Sequence, residues 1–175
     1  MLTNLKSLFL FFSVFLVLLN VLFSSNSDYR TKGSNDFVVG NKLICNKKTV
    51  SKHILSAAFE NGCELVDVAQ GYTKCSIAVV SDNAMITADK AIAKACADAN
   101  IDVLQIFDGY ISLPPYDFGF IGGTSGRFGD NIYFCGSLNS HPDGEKIKDF
   151  CKKHNKTVLS LSDGVLQDVG SLFFI

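Results

Sequence analysis

The sequence predicts an α/β protein in which about three ββαβ units form a partial α/β propeller, preceded by an N-terminal apolar helix. A hairpin of two strands, then a helix, then a third strand recurs three times between residues 36 and 162. Each repeat ends in a glycine-containing loop that follows its third strand. A period of about 40 to 50 residues is typical of a modular array, since one such unit cannot bury its helix and its sheet alone.

The hairpins and closing strands are short, apolar and rich in β-branched residues, which favours strands that are buried on both faces. The hairpins are DFVVGNKLIC (36–45), SIAVVSDNAMIT (76–87) and DFGFIGGTSGRFGDNIYFC (117–135). The closing strands are CELVDV (63–68), IDVLQI (101–106) and TVLSLS (157–162). We expect the C-terminal SLFFI to begin a fourth unit that does not finish within this sequence.

Each predicted helix has apolar residues at helical spacing on one face. These residues are Val50, Ile54, Ala57 and Ala58; Ile92, Ala95, Cys96 and Ala99; and Ile147, Phe150 and Cys151. Asp89 suits the N-cap of the second helix and Pro142 the first turn of the third. Gly62 is typical of the residue that follows a helix.

The loops that end the units are expected to lie together. They are Gln70-Gly71-Tyr72, Asp108-Gly109-Tyr110 and Asp163-Gly164-Val165. Units arranged around a common axis would bring these loops to one end of that axis. Loops on a rigid scaffold commonly carry function, so the sequence predicts the functional site there.

The N-terminus contains an apolar run from Leu8 to Phe23, interrupted only by Ser13 and Asn20. At about 1.5 Å per residue this run is somewhat shorter than a hydrocarbon core of about 30 Å. We expect residues 1–27 to be a signal peptide or a transmembrane anchor, 28–35 a linker, and 36–175 the repeat domain. The protein would then be a single-pass membrane protein or exported. A misplaced start would leave it cytoplasmic.

Charge and cysteine content narrow the classes of partner and cofactor. The chain has 16 basic and 17 acidic residues and no basic patch, so we expect no nucleic-acid partner. Its six cysteines lie within predicted strands and helices, which favours buried thiols over a disulfide framework. No Cys-x-x-Cys pair or Cys/His cluster occurs, so the sequence predicts no metal and no cofactor.

Long stretches of the chain resemble a known family. The stretches are QGYTKCSIAVVSDNAMITADKAIAKACADANIDVLQI, YDFGFIGGTSGRFGDNIYFCGSLNSHPD and LSDGVLQDVGSLFFI. They are similar to a family of uncharacterised bacterial proteins, a domain of unknown function with the guanidino-modifying-enzyme (GME, or pentein) fold. The resemblance covers roughly Asn41 to Ile175.

The resemblance implies a ring of five ββαβ units, whereas this chain supplies about three. Either units of the ring are absent, or a second copy of the chain covers the open edges. The superfamily includes deiminases, amidinotransferases and a non-catalytic ribosome-binding factor. The implied function is therefore a hydrolase or amidinotransferase-like activity on a small guanidino or amidine compound, by thiol chemistry. The alternative is a non-catalytic binding or interaction module, and this is favoured by one departure: Ser171 stands where the enzymes carry a nucleophilic cysteine.

Guanidine chemistry needs a thiolate, an acid/base and carboxylates that hold the cation. Cys75 is the candidate nucleophile, because it follows a Gly-Tyr-Thr-Lys turn at the start of a predicted strand. The resemblance implies that the superfamily presents its nucleophile in this way, although in a different unit. Lys74 beside it would line the substrate site and lower the pKa of the thiol. The alternative is a half-buried cysteine with Lys74 directed to water.

The sequence His141-Pro142-Asp143 matches the His-x-Asp signature that the resemblance implies. His141 would be the acid/base and Asp143 part of the guanidinium clamp, with Asp117 and Asp168 completing it. The alternatives are ordinary ones, since these residues also suit helix starts and turns.

Overall fold

The fold was analysed in a computed structural model, which describes residues 37–172. The described chain is mixed α/β, with three small sheets of three strands each. Sheet 1 contains β1 (Phe37–Val39), β2 (Lys42–Cys45) and β3 (Glu64–Asp67). Sheet 2 contains β4 (Ile77–Ser81), β5 (Ala84–Thr87) and β6 (Asp102–Gln105). Sheet 3 contains β7 (Ser125–Phe128), β8 (Asn131–Phe134) and β9 (Thr157–Ser160). The predicted repeat of hairpin, helix and strand is therefore confirmed.

Four α-helices are described, and three of them lie between the second and third strands of a sheet. These three are α1 (Lys52–Glu60), α3 (Lys90–Asp98) and α4 (Gly144–Lys153). The short helix α2 (Thr73–Ser76) leads into β4, and 3₁₀ turns cover Ile121–Thr124 and Leu138–Ser140. Asp89 caps α3 as predicted: its carboxylate accepts hydrogen bonds from the amides of Ala91 and Ile92, both at 2.8 Å.

All three sheets share one pairing pattern. The middle strand pairs antiparallel with the first strand and parallel with the third. Each parallel pair begins with equivalent residues: Lys42 opposite Glu64, Ala84 opposite Asp102, and Asn131 opposite Thr157. Positions in the three units can therefore be equated strand by strand.

The core consists of helices packed between successive sheets. Helix α3 joins sheets 1 and 2 through a cluster that includes Ile44, Val66, Met85 and Ile92. A second cluster joins sheet 2, helix α4 and sheet 3. It includes Ile86, Phe134, Ile147 and Cys151. Burial of these apolar surfaces is the main driving force that holds the units together.

Burial differs between the sheets, and this corrects the prediction that every strand is buried on both faces. All four residues of β5 are buried. Three of the four residues of β9 are exposed. The difference arises because, within residues 37–172, no helix follows sheet 3 to cover its second face.

The start of the second unit also differs from the prediction. Cys75 was expected at the beginning of a strand, but it lies in helix α2, and β4 begins only at Ile77. The third predicted hairpin, residues 117–135, contains a buried 3₁₀ turn at Ile121–Thr124, and its first strand begins only at Ser125.

The prediction of a transmembrane helix is corrected. Across residues 37–172, no helix is both long enough and apolar enough to cross a membrane. The apolar run Leu8–Phe23, on which that prediction rested, lies outside the described residues, as do the expected leader and linker.

Candidate functional site

A cleft of about 230 Å³ opens where loops of successive units meet. Residues from the loop after β3, the loop after β6, the start of α3 and the chain before the first 3₁₀ turn form its walls. Its lining consists of Gln70, Tyr72, Ser76, Ala88, Asp89, Phe107, Asp108, Ile111, Phe118, Gly119, Phe120 and Ile121. Two of the three predicted loops, those at residues 70–72 and 108–110, thus contribute to one cavity.

Aromatic side chains form much of the cleft wall. Tyr72 and Phe107 are each 62% exposed, and Phe118 and Phe120 are exposed as well. A group of exposed aromatic side chains around a cavity is typical of a binding surface. Their faces can attract a planar or cationic group.

Two carboxylates give the cleft a negative charge. Asp89 is already engaged, since its second oxygen accepts a hydrogen bond from the Gln70 amide at 2.5 Å. Asp108 is exposed, and its carboxylate has no hydrogen-bond or ion-pair partner among the residues that the structure describes. Asp108 is therefore available to a cation that enters the cleft.

His141 and Asp143 lie behind the cleft and hold the backbone of Phe107. The Asp143 carboxylate accepts hydrogen bonds from the Phe107 amide at 2.8 Å and from Lys146 Nζ at 2.6 Å. His141 Nε2 donates to the Phe107 carbonyl at 3.2 Å, while Nδ1 accepts from the Asp143 amide at 3.0 Å. Both residues are almost fully buried, at 4% and 3% exposure.

The electrostatics of this pair follow from that geometry. Burial lowers the pKa of His141, although the Phe107 carbonyl and Asp143 oppose the shift. Burial acts to raise the pKa of Asp143, but the hydrogen bonds from Lys146 and Phe107 outweigh it and hold the pKa below its usual range. A neutral imidazole thus lies beside an ionised carboxylate.

Asp168 holds a second aromatic wall of the cleft. Its carboxylate accepts hydrogen bonds from the Phe120 amide at 2.9 Å and from the Gly170 amide at 3.0 Å. His141, Asp143 and Asp168, three of the residues that the sequence singled out, therefore contact the backbone of cleft-lining residues.

The surroundings of Cys75 do not activate its thiol. Burial raises the pKa of Cys75, and the Asp168 carboxylate raises it further, while Lys74 acts in the opposite direction. Burial also lowers the pKa of Lys74. Lys74 acts on the pKa of Cys75 in the predicted direction, but burial and the Asp168 carboxylate outweigh it, so the pKa of the thiol is raised overall.

The first 3₁₀ turn connects Cys75 to the C-terminal loop. The Ser171 hydroxyl donates to the Gly122 carbonyl at 3.0 Å. A side chain at Gly122 would meet the Cys75 carbonyl oxygen at 2.6 Å, so these two backbones are in close contact. Ser171, which takes the place of the enzymes' cysteine in the resemblance, thus contacts the same 3₁₀ turn as the backbone of Cys75.

The predicted site residues do not form one group. In residues 37–172 no hydrogen bond or ring contact joins Cys75 to His141, and neither residue lines the cleft, although Ser76 does. Asp117 is exposed and lies outside the lining. No three ligand-type side chains in this part of the chain could hold a metal ion.

Sequence reasoning did not select Phe107, Phe118 and Phe120, which line the cleft. A signal was present, since Phe107 directly precedes the predicted loop at Asp108 and the other two flank Gly119. Phenylalanine next to a predicted strand suits a core position equally well, so only the assembled loops distinguish the two.

His141 predicts a measurable pH dependence of stability. An imidazole whose pKa is lowered in the folded state binds fewer protons than in the unfolded chain, so the free energy of unfolding falls as the pH drops below about 6.5. For this single group, the free energy of unfolding changes by at most about 1.4 kcal/mol per pH unit. Asp143 adds a further loss below about pH 4, since its pKa is lowered as well.

Urea unfolding between pH 7.5 and 5 tests this prediction. His141→Gln is expected to flatten the slope, because a glutamine amide can still donate to the Phe107 carbonyl but cannot bind the extra proton. The matched control His53→Gln changes an exposed histidine and should keep the slope. An unchanged slope in His141→Gln would contradict the assignment.

Comparisons with solved structures show what the fold resembles. Agmatine deiminase of C. jejuni matches with a TM-score of 0.53 at 8% identity, over 78% of this chain and 51% of that protein. A cysteine-to-serine variant of the enzyme with substrate bound has a TM-score of 0.49 at 9% identity, over 83% of this chain and 58% of the other. The chain therefore spans about half the length of the first, and the likeness shows the fold alone.

Comparisons with sequences give a family without a known activity. A search of curated proteins found no match. A family model described as a family of unknown function, DUF6873, matches residues 22–173, which is most of the chain. The protein is a member of this DUF6873 family.

Proposed function

We propose that the protein binds a small guanidino or amidine cation in the cleft between its unit-ending loops. One observation carries the proposal: a cavity of about 230 Å³ combines four accessible aromatic rings with the carboxylates of Asp89 and Asp108. In this proposal the three ββαβ units are part of a pentein-like propeller, and the cleft lies at the end of its axis.

The chemistry of the lining fits a flat cation better than other small ligands. A guanidinium is planar, so it can stack on a phenyl ring while its N–H groups reach a carboxylate. Asp108 supplies an acceptor without a competing partner in residues 37–172. Asp89 and Gln70 supply a fixed polar edge, since each already bonds to the other. An anion would meet two like charges here.

His141, Asp143 and Asp168 act as positioning residues in this proposal. Each contacts the backbone of Phe107 or Phe120, so each fixes where an aromatic ring stands without touching the ligand. The cation-holding role that the sequence suggested for Asp143 and Asp168 is thereby reassigned to Asp108. Asp117 stays outside the proposed site.

A second candidate is thiol catalysis on the same class of compound. It is favoured by the 3₁₀ turn Ile121–Thr124, which lies against the Cys75 backbone and the Asp168 side chain and accepts a hydrogen bond from Ser171. The thiolate would add to the guanidinium carbon, an amine would leave with a proton from the acid/base, and water would release the urea-type product. The raised pKa of Cys75 and the two hydrogen bonds that occupy the His141 ring favour binding over catalysis.

Calorimetric titration with agmatine and methylguanidine tests the proposal. We expect both to bind and methylurea, a neutral analogue of similar shape, not to bind. Asp108→Asn should weaken binding by about tenfold, because it removes a charge-assisted hydrogen bond. Asp163→Asn is the matched control, since Asp163 is an exposed loop aspartate outside the lining.

Three outcomes separate the candidates. Equal binding of methylguanidine and methylurea would contradict a cation site. Equal losses of ligand affinity in Asp108→Asn and Asp163→Asn would contradict binding in this cleft. Ammonia or urea release that disappears in Cys75→Ala would favour catalysis over binding alone.

A further inference from the structure

Three aspartates in the sequence directly precede a glycine, as Asp108-Gly109, Asp143-Gly144 and Asp163-Gly164. The first and third of these pairs lie in the loops that end the second and third units. Such a pair is prone to rearrange, because glycine has no side chain to keep its backbone nitrogen away from the preceding carboxyl group. The reaction requires that the carboxyl group and the nitrogen are both free to approach each other.

The pair Asp108-Gly109 meets both requirements. Asp108 is exposed, and no hydrogen bond or ion pair to its carboxylate occurs within residues 37–172. The Gly109 amide donates no hydrogen bond in the same part of the chain. Apart from its chain neighbours, a Cβ at Gly109 would meet no atom within 4 Å. The nitrogen and the carboxyl group can therefore meet without displacing other groups.

The pair Asp163-Gly164 is similar but more restrained. Both residues are exposed, and a Cβ at Gly164 would also meet nothing within 4 Å. The Gly164 carbonyl, however, accepts a hydrogen bond from the Ser137 amide at 2.7 Å. No such bond to the Gly109 carbonyl is found among the residues that the structure describes. We therefore expect Asp163 to react more slowly than Asp108.

The pair Asp143-Gly144 is held at both reacting groups. The Asp143 carboxylate accepts hydrogen bonds from the Phe107 amide at 2.8 Å and from Lys146 Nζ at 2.6 Å, so both of its oxygens are engaged. The Gly144 amide donates to the His141 carbonyl at 2.9 Å. Asp143 is also only 3% exposed. This pair has the same chemistry as the loop pairs but lacks their freedom to react.

We infer that Asp108 is a site of spontaneous isomerisation to isoaspartate, and that this reaction slowly inactivates the cleft. The Gly109 nitrogen adds to the side-chain carboxyl carbon of Asp108, its proton and the carboxyl hydroxyl leave as water, and a five-membered succinimide forms. Water then opens the ring at one of its two C–N bonds. Opening at the side-chain carbonyl restores aspartate, whereas opening at the main-chain carbonyl gives isoaspartate. The net reaction is an isomerisation that needs no reagent besides water.

The effect on the cleft rests on the proposed function. In isoaspartate the main chain gains a methylene group and the free carboxylate is attached directly to Cα, so the acceptor for the cation changes position. A bound cation should in turn slow the reaction, because it pairs with the carboxylate that the Gly109 nitrogen must attack. Asp163 lies outside the cleft lining, so the same ligand should not protect it.

Peptide mapping of the full chain after incubation at neutral pH and physiological temperature tests the inference. Isoaspartate separates from aspartate at unchanged peptide mass and resists a protease that cleaves before aspartate. We expect isoaspartate to form at least about tenfold faster at Asp108 than at Asp143, because the buried pair reacts only when the chain opens locally or unfolds. Asp163 should react at an intermediate rate.

Two matched variants and an unfolded control identify the cause. Asp108→Glu keeps the charge but would have to form a six-membered ring, so the signal at this position should disappear. Asp163→Glu should leave the rate at Asp108 unchanged. In a chain unfolded by urea, the rates at Asp108 and Asp143 should become similar. Equal rates at these two aspartates in the folded chain, or a difference that persists in urea, would overturn the inference.

Binding of methylguanidine by aged protein measures the effect on the cleft. The fraction of binding-competent wild type should fall as the isoaspartate content of Asp108 rises, whereas binding by Asp108→Glu should not change with time. Unchanged binding by extensively isomerised wild type would overturn the inactivation. Because the rate of isomerisation is measured without ligand, its failure is distinguishable from failure of the proposed function, which fresh protein tests.

Discussion

Phe134→Ala is expected to lower the free energy of unfolding by about 3–5 kcal/mol, the largest loss from a single truncation in this fold. Phe134 is 0% exposed and belongs to the cluster that joins sheet 2, helix α4 and sheet 3. Its removal leaves a cavity where three elements meet, and each element is held by its pairing partners, so the gap cannot collapse fully.

Chemical denaturation monitored by circular dichroism measures this loss. Tyr116→Ala is the control, since Tyr116 is 71% exposed and its removal should change stability by less than about 0.5 kcal/mol. Similar losses in the two variants would mean that Phe134 does not fill the junction between the second and third units.

Gly122→Ala is expected to cost about 1–3 kcal/mol and to disturb the site at the same time. A Cβ at this position would overlap the Ile77 carbonyl oxygen and would lie 2.5 Å from that of Lys74 and 2.6 Å from that of Cys75. Three backbone oxygens cannot move aside as a flexible side chain can. The 3₁₀ turn must therefore shift away from helix α2.

That shift would be visible in binding as well as in stability. The same turn directly follows Phe120, which lines the cleft. Within the turn, the Gly122 carbonyl accepts a hydrogen bond from the Ser171 hydroxyl. Weaker binding of methylguanidine should accompany the lower stability.

Gly71→Ala supplies the comparison for this prediction, measured by the same unfolding and titration experiments. A Cβ at Gly71 would meet nothing within 4 Å, so its stability should stay within about 1 kcal/mol of the wild type. A Gly122→Ala protein as stable as Gly71→Ala would show that the turn and helix α2 are not in close contact.

Local features of the fold were predictable because they are encoded in short windows. The strands of the hairpins follow from β-branched apolar runs, and the Asp89 cap follows from an aspartate directly before a helical pattern. Equivalence of the three units follows from their common order of elements. None of these inferences requires knowledge of which elements meet.

The candidate site was predictable only in part, since its properties depend on contacts between units. Sequence reasoning expected the loops at Tyr72 and Asp108 to converge, and both line the cleft. It could not foresee that burial, with the Asp168 carboxylate adding to it, raises the pKa of Cys75 despite Lys74. Nor could it foresee that His141 and Asp143 bond to the backbone of Phe107.

The sequence by itself determined the repeated units, their helix caps and the loops from which a site would be built. The tertiary structure decided which side chains face the cavity and which carboxylates hold the backbone of its aromatic walls. The division has a physical reason. Backbone conformation follows from neighbours along the chain, whereas burial and charge environment follow from neighbours in space.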